Sequence, residues 1–99
     1  MTLNRDTLAQ ASPKLAQLTE TVLFGDLWQG KDLSPRDRSL VTVAALVALN
    51  RMEQLPDHLA LARQHGLTDT ELTETMTHLA FYAGWPAAVS GLSRLHNAL

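Results

Sequence analysis

Four histidines, His58, His65, His78 and His96, and the absence of cysteine set the chemistry open to this 99-residue chain. Imidazole is the side chain whose ordinary pKa lets it give and take protons near neutrality. Without a thiol there is no disulfide, thiolate nucleophile, redox dithiol or thiolate metal site. On a helix His58 and His65 share a flank but stand two turns apart, too far to chelate one metal as side chains on adjacent turns would. At about 100° per residue, His58 falls beside the stripe of Leu55, Leu59 and Ala62, on the border between core and polar face. An imidazole there is either a structural histidine or one that looks into a partly closed cleft. His78 and Tyr82 form a similar flank one turn apart, which suits a hydrogen-bonded surface pair as well as a site.

Cations come next. Arg36, Arg38 and Arg51 bracket the apolar run 40–49. Arg36 and Arg38 fall near the positive end of a helix, where a cation is slightly unfavourable, unless one of them binds a carboxylate or pairs with Asp37 or Glu53. No Ser-His-Asp order, phosphate loop or dinucleotide fingerprint is present.

These side chains need helices to hold them. Residues 33–50, LSPRDRSLVTVAALVALN, open with Ser34 as N-cap, Pro35 at the first helical position and Asp37 three residues after the cap. Every residue of 40–49 except Thr42 is apolar, so this helix is expected to be covered on all sides, by its own chain and by a neighbouring subunit. Asn50 fits a left-handed C-cap. Upstream, residues 12–23 carry Leu15, Leu18 and Val22 at helical spacing behind a Ser12-Pro13 start, and residues 1–11 form a short helix or an arm. Gly25 interrupts that pattern and leaves Phe24 and Trp28 in a connector, where they either plug a core or subunit contact or line a pocket.

Downstream, residues 52–64 place Met52, Leu55, Leu59 and Ala62 on one stripe, with Pro56 tolerable only near the helix start and Gly66 as its C-terminal cap. Thr68 and Glu71 make a capping box for a helix that buries Leu72, Met76, Leu79 and Ala83. Gly84-Trp85-Pro86 stops it and starts a last helix with Ala88, Leu92, Leu95 and Leu99 on one seam. No stretch alternates like a strand. The reading is all-α: a single compact orthogonal domain of five to six helices spanning 1–99.

A net charge of -2 and pI near 6.0 supply no general attraction for nucleic acid or anionic membrane. Residues 62–80 have the helix, Gly-containing turn and second helix of a helix-turn-helix. However, Thr70, Glu71, Glu74, Thr75 and Thr77 would present an acidic face to phosphates, so DNA binding is disfavoured. Neither a signal peptide nor a membrane span is evident, which places the protein in the cytoplasm.

Three segments, FGDLW, LSPRDRSLVTVAALVALNR and MEQLPDHLALARQHGLTDTELTETMTHLAFYAGWPAAVSGL, together resemble the carboxymuconolactone decarboxylase family within the alkylhydroperoxidase-like superfamily. They lie in the three quarters of the sequence from Phe24 onward. The peroxidase branch uses a CxxC pair one turn before a histidine. Here that histidine matches His58, the cysteine positions fall on Arg51 and Gln54, and the acidic partner position falls on Ser39. Disulfide exchange cannot run without the thiols.

The decarboxylase branch implies a cofactor-free, metal-free loss of carbon dioxide from 4-carboxymuconolactone in aromatic-acid degradation. Electrons left by the departing carboxylate delocalise onto the lactone carbonyl. The reaction therefore needs a donor at that oxygen, a cation for the carboxylates and an acid to reprotonate carbon. The roles implied are His58 as proton donor or oxyanion partner and Arg38 and Arg51 as carboxylate anchors. Trp28, Tyr82 and Trp85 would wall out water, with His78 a reserve acid/base. The resemblance also implies a homo-oligomer, trimer or hexamer. The rival expectation is a non-catalytic oligomeric binding or assembly module that kept the fold after losing the thiols.

Overall fold

The computed structural model describes residues 3–97, and all regular structure among them is helical. The chain forms two compact units, one up to Leu33 and one from Ser34 onward.

In the first unit, α1 (Leu8–Ala11) and α2 (Pro13–Leu18) are separated by Ser12, whose hydroxyl accepts the Leu15 N–H at 3.1 Å. The helix expected over 12–23 is α-helical only to Leu18. It then widens into a π-turn, Thr19–Leu23, with Phe24 N–H donating to Thr19 C=O at 3.0 Å. Beside this turn the Thr19 and Thr21 hydroxyls donate to the carbonyls of Leu15 and Gln17, at 2.8 and 2.9 Å. Leu15, Leu18 and Val22 remain exposed, so the periodicity marks an apolar stripe that this unit does not bury. Arg5 clamps Glu20 through two 2.6 Å hydrogen bonds and lies 4.2 Å over the Phe24 ring.

The second unit packs four helices: α3 (Pro35–Ala48), α4 (Leu55–Gln64), α5 (Asp69–Tyr82) and α6 (Trp85–Leu95). Their ends follow the cap chemistry. The Ser34 hydroxyl accepts the Asp37 N–H at 3.1 Å, and both halves of the Thr68–Glu71 capping box are made. Asn50, at φ 57°, closes α3 as a Schellman motif, with Asn50 N–H donating to Val47 C=O and Arg51 N–H to Leu46 C=O. Gly66, at φ 98°, closes α4 in the same way, a backbone conformation that glycine adopts without steric cost. One boundary moves: α4 starts at Leu55 and not at residue 52, which puts Pro56 in the first turn, where its missing N–H costs nothing.

The core joins Val43 and Val47 of α3, Leu55, Leu59 and Ala62 of α4, Leu72 and Met76 of α5, and Leu95 of α6. Leu99 of the expected α6 seam lies outside the described residues. Gly91 completes the buried face of α6. A Cβ there would stand 3.1 Å from a Val47 methyl and 3.3 Å from Met76 Sδ, so the absent side chain lets α6 settle onto α3 and α5. Gly91→Leu is therefore expected to lower stability by about 1–3 kcal/mol in urea unfolding, because neither α3 nor α5 has room for the added atoms.

The α3 rod is not enclosed by this unit alone. Ser39, Val43 and Val47 are buried, whereas Val41 and Leu49 on the opposite side are 59% and 60% exposed.

Candidate functional site

Positions 50–54, linking α3 to α4, form one wall of a cleft of about 590 Å³, and Ser90, Ser93 and Arg94 of α6 form the other. The Schellman motif fixes the start of the linker, with the Arg51 N–H to Leu46 C=O bond at 2.8 Å. Ser90, Ser93 and Arg94 lie on the flank of α6 away from Ala88, Gly91 and Leu95, which face the core. Of the anticipated site residues, Arg51 alone lines this cleft.

His58 is one turn into α4, after Gln54 of the cleft wall. It is half-buried with Nδ1 out of contact with solvent, the border position its spacing implied. Burial lowers its pKa from the ordinary imidazole value, partly opposed by the Asp57 charge, so the ring is neutral at physiological pH. Folding therefore favours the unprotonated ring. Its contribution to stability is complete above the unfolded value of about 6.5 and is lost as pH falls through the lower folded value. Urea unfolding between pH 7.5 and 5.5 is expected to show stability declining on the acid side, with a shallower decline in His58→Gln.

The arginines divide. Arg36 joins α3 to α5 through an ion pair with Glu71 and also approaches Asp37 at 3.5 Å. Asp37 was an expected partner; Glu71, rather than Glu53, is the other. The Thr68 backbone N–H, with help from Arg36, holds the Glu71 carboxyl below the usual range. Arg38 takes no part in an ion pair among the described residues, and its Nε is buried without a hydrogen-bond partner.

The aromatic residues form separate groups. His78 and Tyr82 stack, with ring centroids 4.8 Å apart. Trp85 meets Phe81 edge-on at 6.2 Å. Tyr82 and Trp85 are 79% and 65% exposed, so within this chain neither forms a wall of an enclosed pocket. Trp28 belongs to the first unit, where it packs against Phe24 at 5.9 Å.

Sequence reasoning left two features unassigned. Ser39, buried in α3, is 2.8 Å from His65 Nδ1 and fastens α3 to the end of α4. Arg94, with Ser90 and Ser93, lines the cleft; the spacing of these three residues on the polar flank of α6 was the available signal. Among the described residues no group of three or more His, Cys, Asp or Glu converges to hold a metal ion, and no helix is long and apolar enough to cross a membrane.

The carboxymuconolactone decarboxylase family model matches residues 13–96. The chain belongs to this family. It is 42% identical over 65 residues to a 4-carboxymuconolactone decarboxylase of Acinetobacter baylyi, covering 66% of this chain and 48% of that one. It is 29% identical over 69 residues to a nitrosuccinic acid decarboxylase of Metarhizium robertsii, covering 70% and 48%. The chain thus spans about half the length of these two relatives.

Proposed function

We propose that this chain is a cofactor-free decarboxylase of a small carboxylated lactone of the 4-carboxymuconolactone kind, with His58 handling the proton. The observation that carries this reading is the half-buried imidazole of His58, one turn beyond a linker wall that holds Arg51, in a chain similar to two decarboxylases. The electron pair of the breaking C–C bond passes through the ring double bond to the lactone carbonyl, and carbon dioxide leaves. A neutral imidazole N–H donates to the oxygen on which charge develops, which fits a ring kept unprotonated by burial. The carbanion equivalent then takes one proton at carbon, drawn from solvent and passed on by the His58 imidazole, which ends neutral again, so the net step consumes one proton and releases carbon dioxide. Arg51 anchors a carboxylate from the cleft wall, whereas Arg38, the other anchor that the resemblance implies, does not line the cleft and has its Nε buried.

Homo-oligomerisation, as a trimer or hexamer, belongs to the same reading. Two apolar surfaces support it: Val41 and Leu49 on α3, and Phe81, Tyr82, Trp85 and Val89 across α5 and α6, all exposed in the single chain. Tyr82 and Trp85 exclude water from a substrate only when another surface covers them. A chain of 99 residues has a high surface-to-volume ratio, which association lowers. The test is carbon dioxide release from 4-carboxymuconolactone by purified protein whose mass has been determined by sedimentation. Turnover by an oligomer supports the proposal; an inactive wild-type oligomer overturns the substrate assignment and leaves the binding or assembly module in its place.

A further inference from the structure

Six arginines divide into two sets by what they touch. Arg5, Arg36 and Arg63 each hold a carboxylate: Glu20, Glu71 and Asp69 respectively. Arg38, Arg51 and Arg94 hold none among the described residues, and two of these, Arg51 and Arg94, line the same cleft from different elements. That cleft offers the hydroxyls of Ser90 and Ser93 beside Arg94, and one acid, Glu53, against the two cations. Glu53 forms no ion pair with either arginine, so the local charge is left positive. A volume of about 590 Å³ is within the range of small-molecule sites and exceeds what a single carboxylate needs.

We propose that Arg94, with Ser90 and Ser93, binds a second carboxylate of the substrate while Arg51 binds the first, so that the cleft selects small dicarboxylates over monocarboxylates. The inference rests on the decarboxylase reading and extends it: the carboxylate that stays on the product is the one held at Arg94. A guanidinium presents a planar fork of N–H donors to a carboxylate, and the hydroxyls of Ser90, one turn back, and Ser93, next in the chain, can fill the remaining acceptor directions. Arg51 is suited to the first position because the Schellman bonds fix its backbone and leave only the side chain to adjust. There is a competing explanation: both arginines lie at helix C-terminal ends, where a cation offsets the dipole without any ligand. The two explanations differ in what they predict for a dianion. A dipole role has no preference for a second carboxylate and is insensitive to the serines.

The experiment is calorimetric titration of the intact protein with succinate as dianionic probe and butyrate as monoanionic control, at low salt, with no turnover required. Succinate is expected to bind at least tenfold more tightly than butyrate. Arg94→Gln is expected to weaken succinate by about ten- to a hundredfold and to change butyrate by less than about twofold. Ser90→Ala weakens succinate by a smaller factor. Equal affinity for the two probes, or unchanged succinate binding in Arg94→Gln with its melting temperature within a few degrees of wild type, overturns the proposal. Arg94→Lys keeps the charge and loses the fork, and full retention of the preference in that variant would likewise reject bidentate binding. Failure here is separable from failure of the decarboxylase reading. Carbon dioxide release without any preference for succinate sinks the dianion site alone, and a succinate-selective protein that releases no carbon dioxide sinks the reaction alone.

Discussion

Leu72→Ala is expected to lower the unfolding free energy by about 3 kcal/mol, measured by urea or thermal denaturation. Leu72 is fully buried near the start of α5 and belongs to the cluster shared by α3, α4, α5 and α6. Truncation removes its own transfer free energy and leaves a hole that close-packed neighbours only partly refill. For a chain of this length the melting temperature should fall by roughly 12–24 °C. Val41→Ala is the control. Val41 is exposed on the opposite side of α3 from the buried stripe, so in a dilute monomer the same kind of truncation costs little. If the chain associates through that face, Val41→Ala instead shifts the sedimentation profile and the concentration dependence of melting.

His58→Gln is expected to reduce turnover of 4-carboxymuconolactone by about 10²- to 10⁴-fold, the usual contribution of a positioned proton donor or acceptor. Glutamine retains N–H donor capacity and similar bulk but cannot exchange a proton near neutrality. A loss confined to kcat therefore identifies proton handling, and a rise in KM alone identifies a role in positioning. The unfolding midpoint above pH 7 should change little, because the wild-type ring is already neutral there. A variant with unchanged turnover removes His58 from the mechanism whatever happens to stability.

Much of the backbone was legible before any coordinates. Ser34, Asn50, Gly66, Thr68 and Gly84 stand at the helix boundaries where their side chains or left-handed backbone place them. Each of these signals works through groups no more than a turn away, which is why periodicity and cap chemistry suffice. The same reasoning placed His58 on the border of the α4 stripe and set His78 beside Tyr82, where the contact is a ring stack and not the expected hydrogen bond. It did less well over 12–23, where the expected helix widens into a π-turn after Leu18. Nor could periodicity say that the apolar rod of α3 has one face left open by the chain itself, since an apolar run reads alike whether covered from within or by another copy.

By itself the sequence determined an all-helical chain without thiols, the ends of its long helices and the flank on which His58 rides. Only tertiary structure decided which charges meet. Arg36 reaches Glu71 on α5, Ser39 fastens to His65 at the end of α4, and Arg51 shares a cleft with Arg94 on α6. The reason is physical: a cap is fixed by the backbone dihedrals of its immediate neighbours, whereas a cross-helix partner depends on how closely two helices approach. Here that approach turns on the missing side chain of Gly91 against Val47 and Met76, a contact between positions far apart in sequence that no local pattern records.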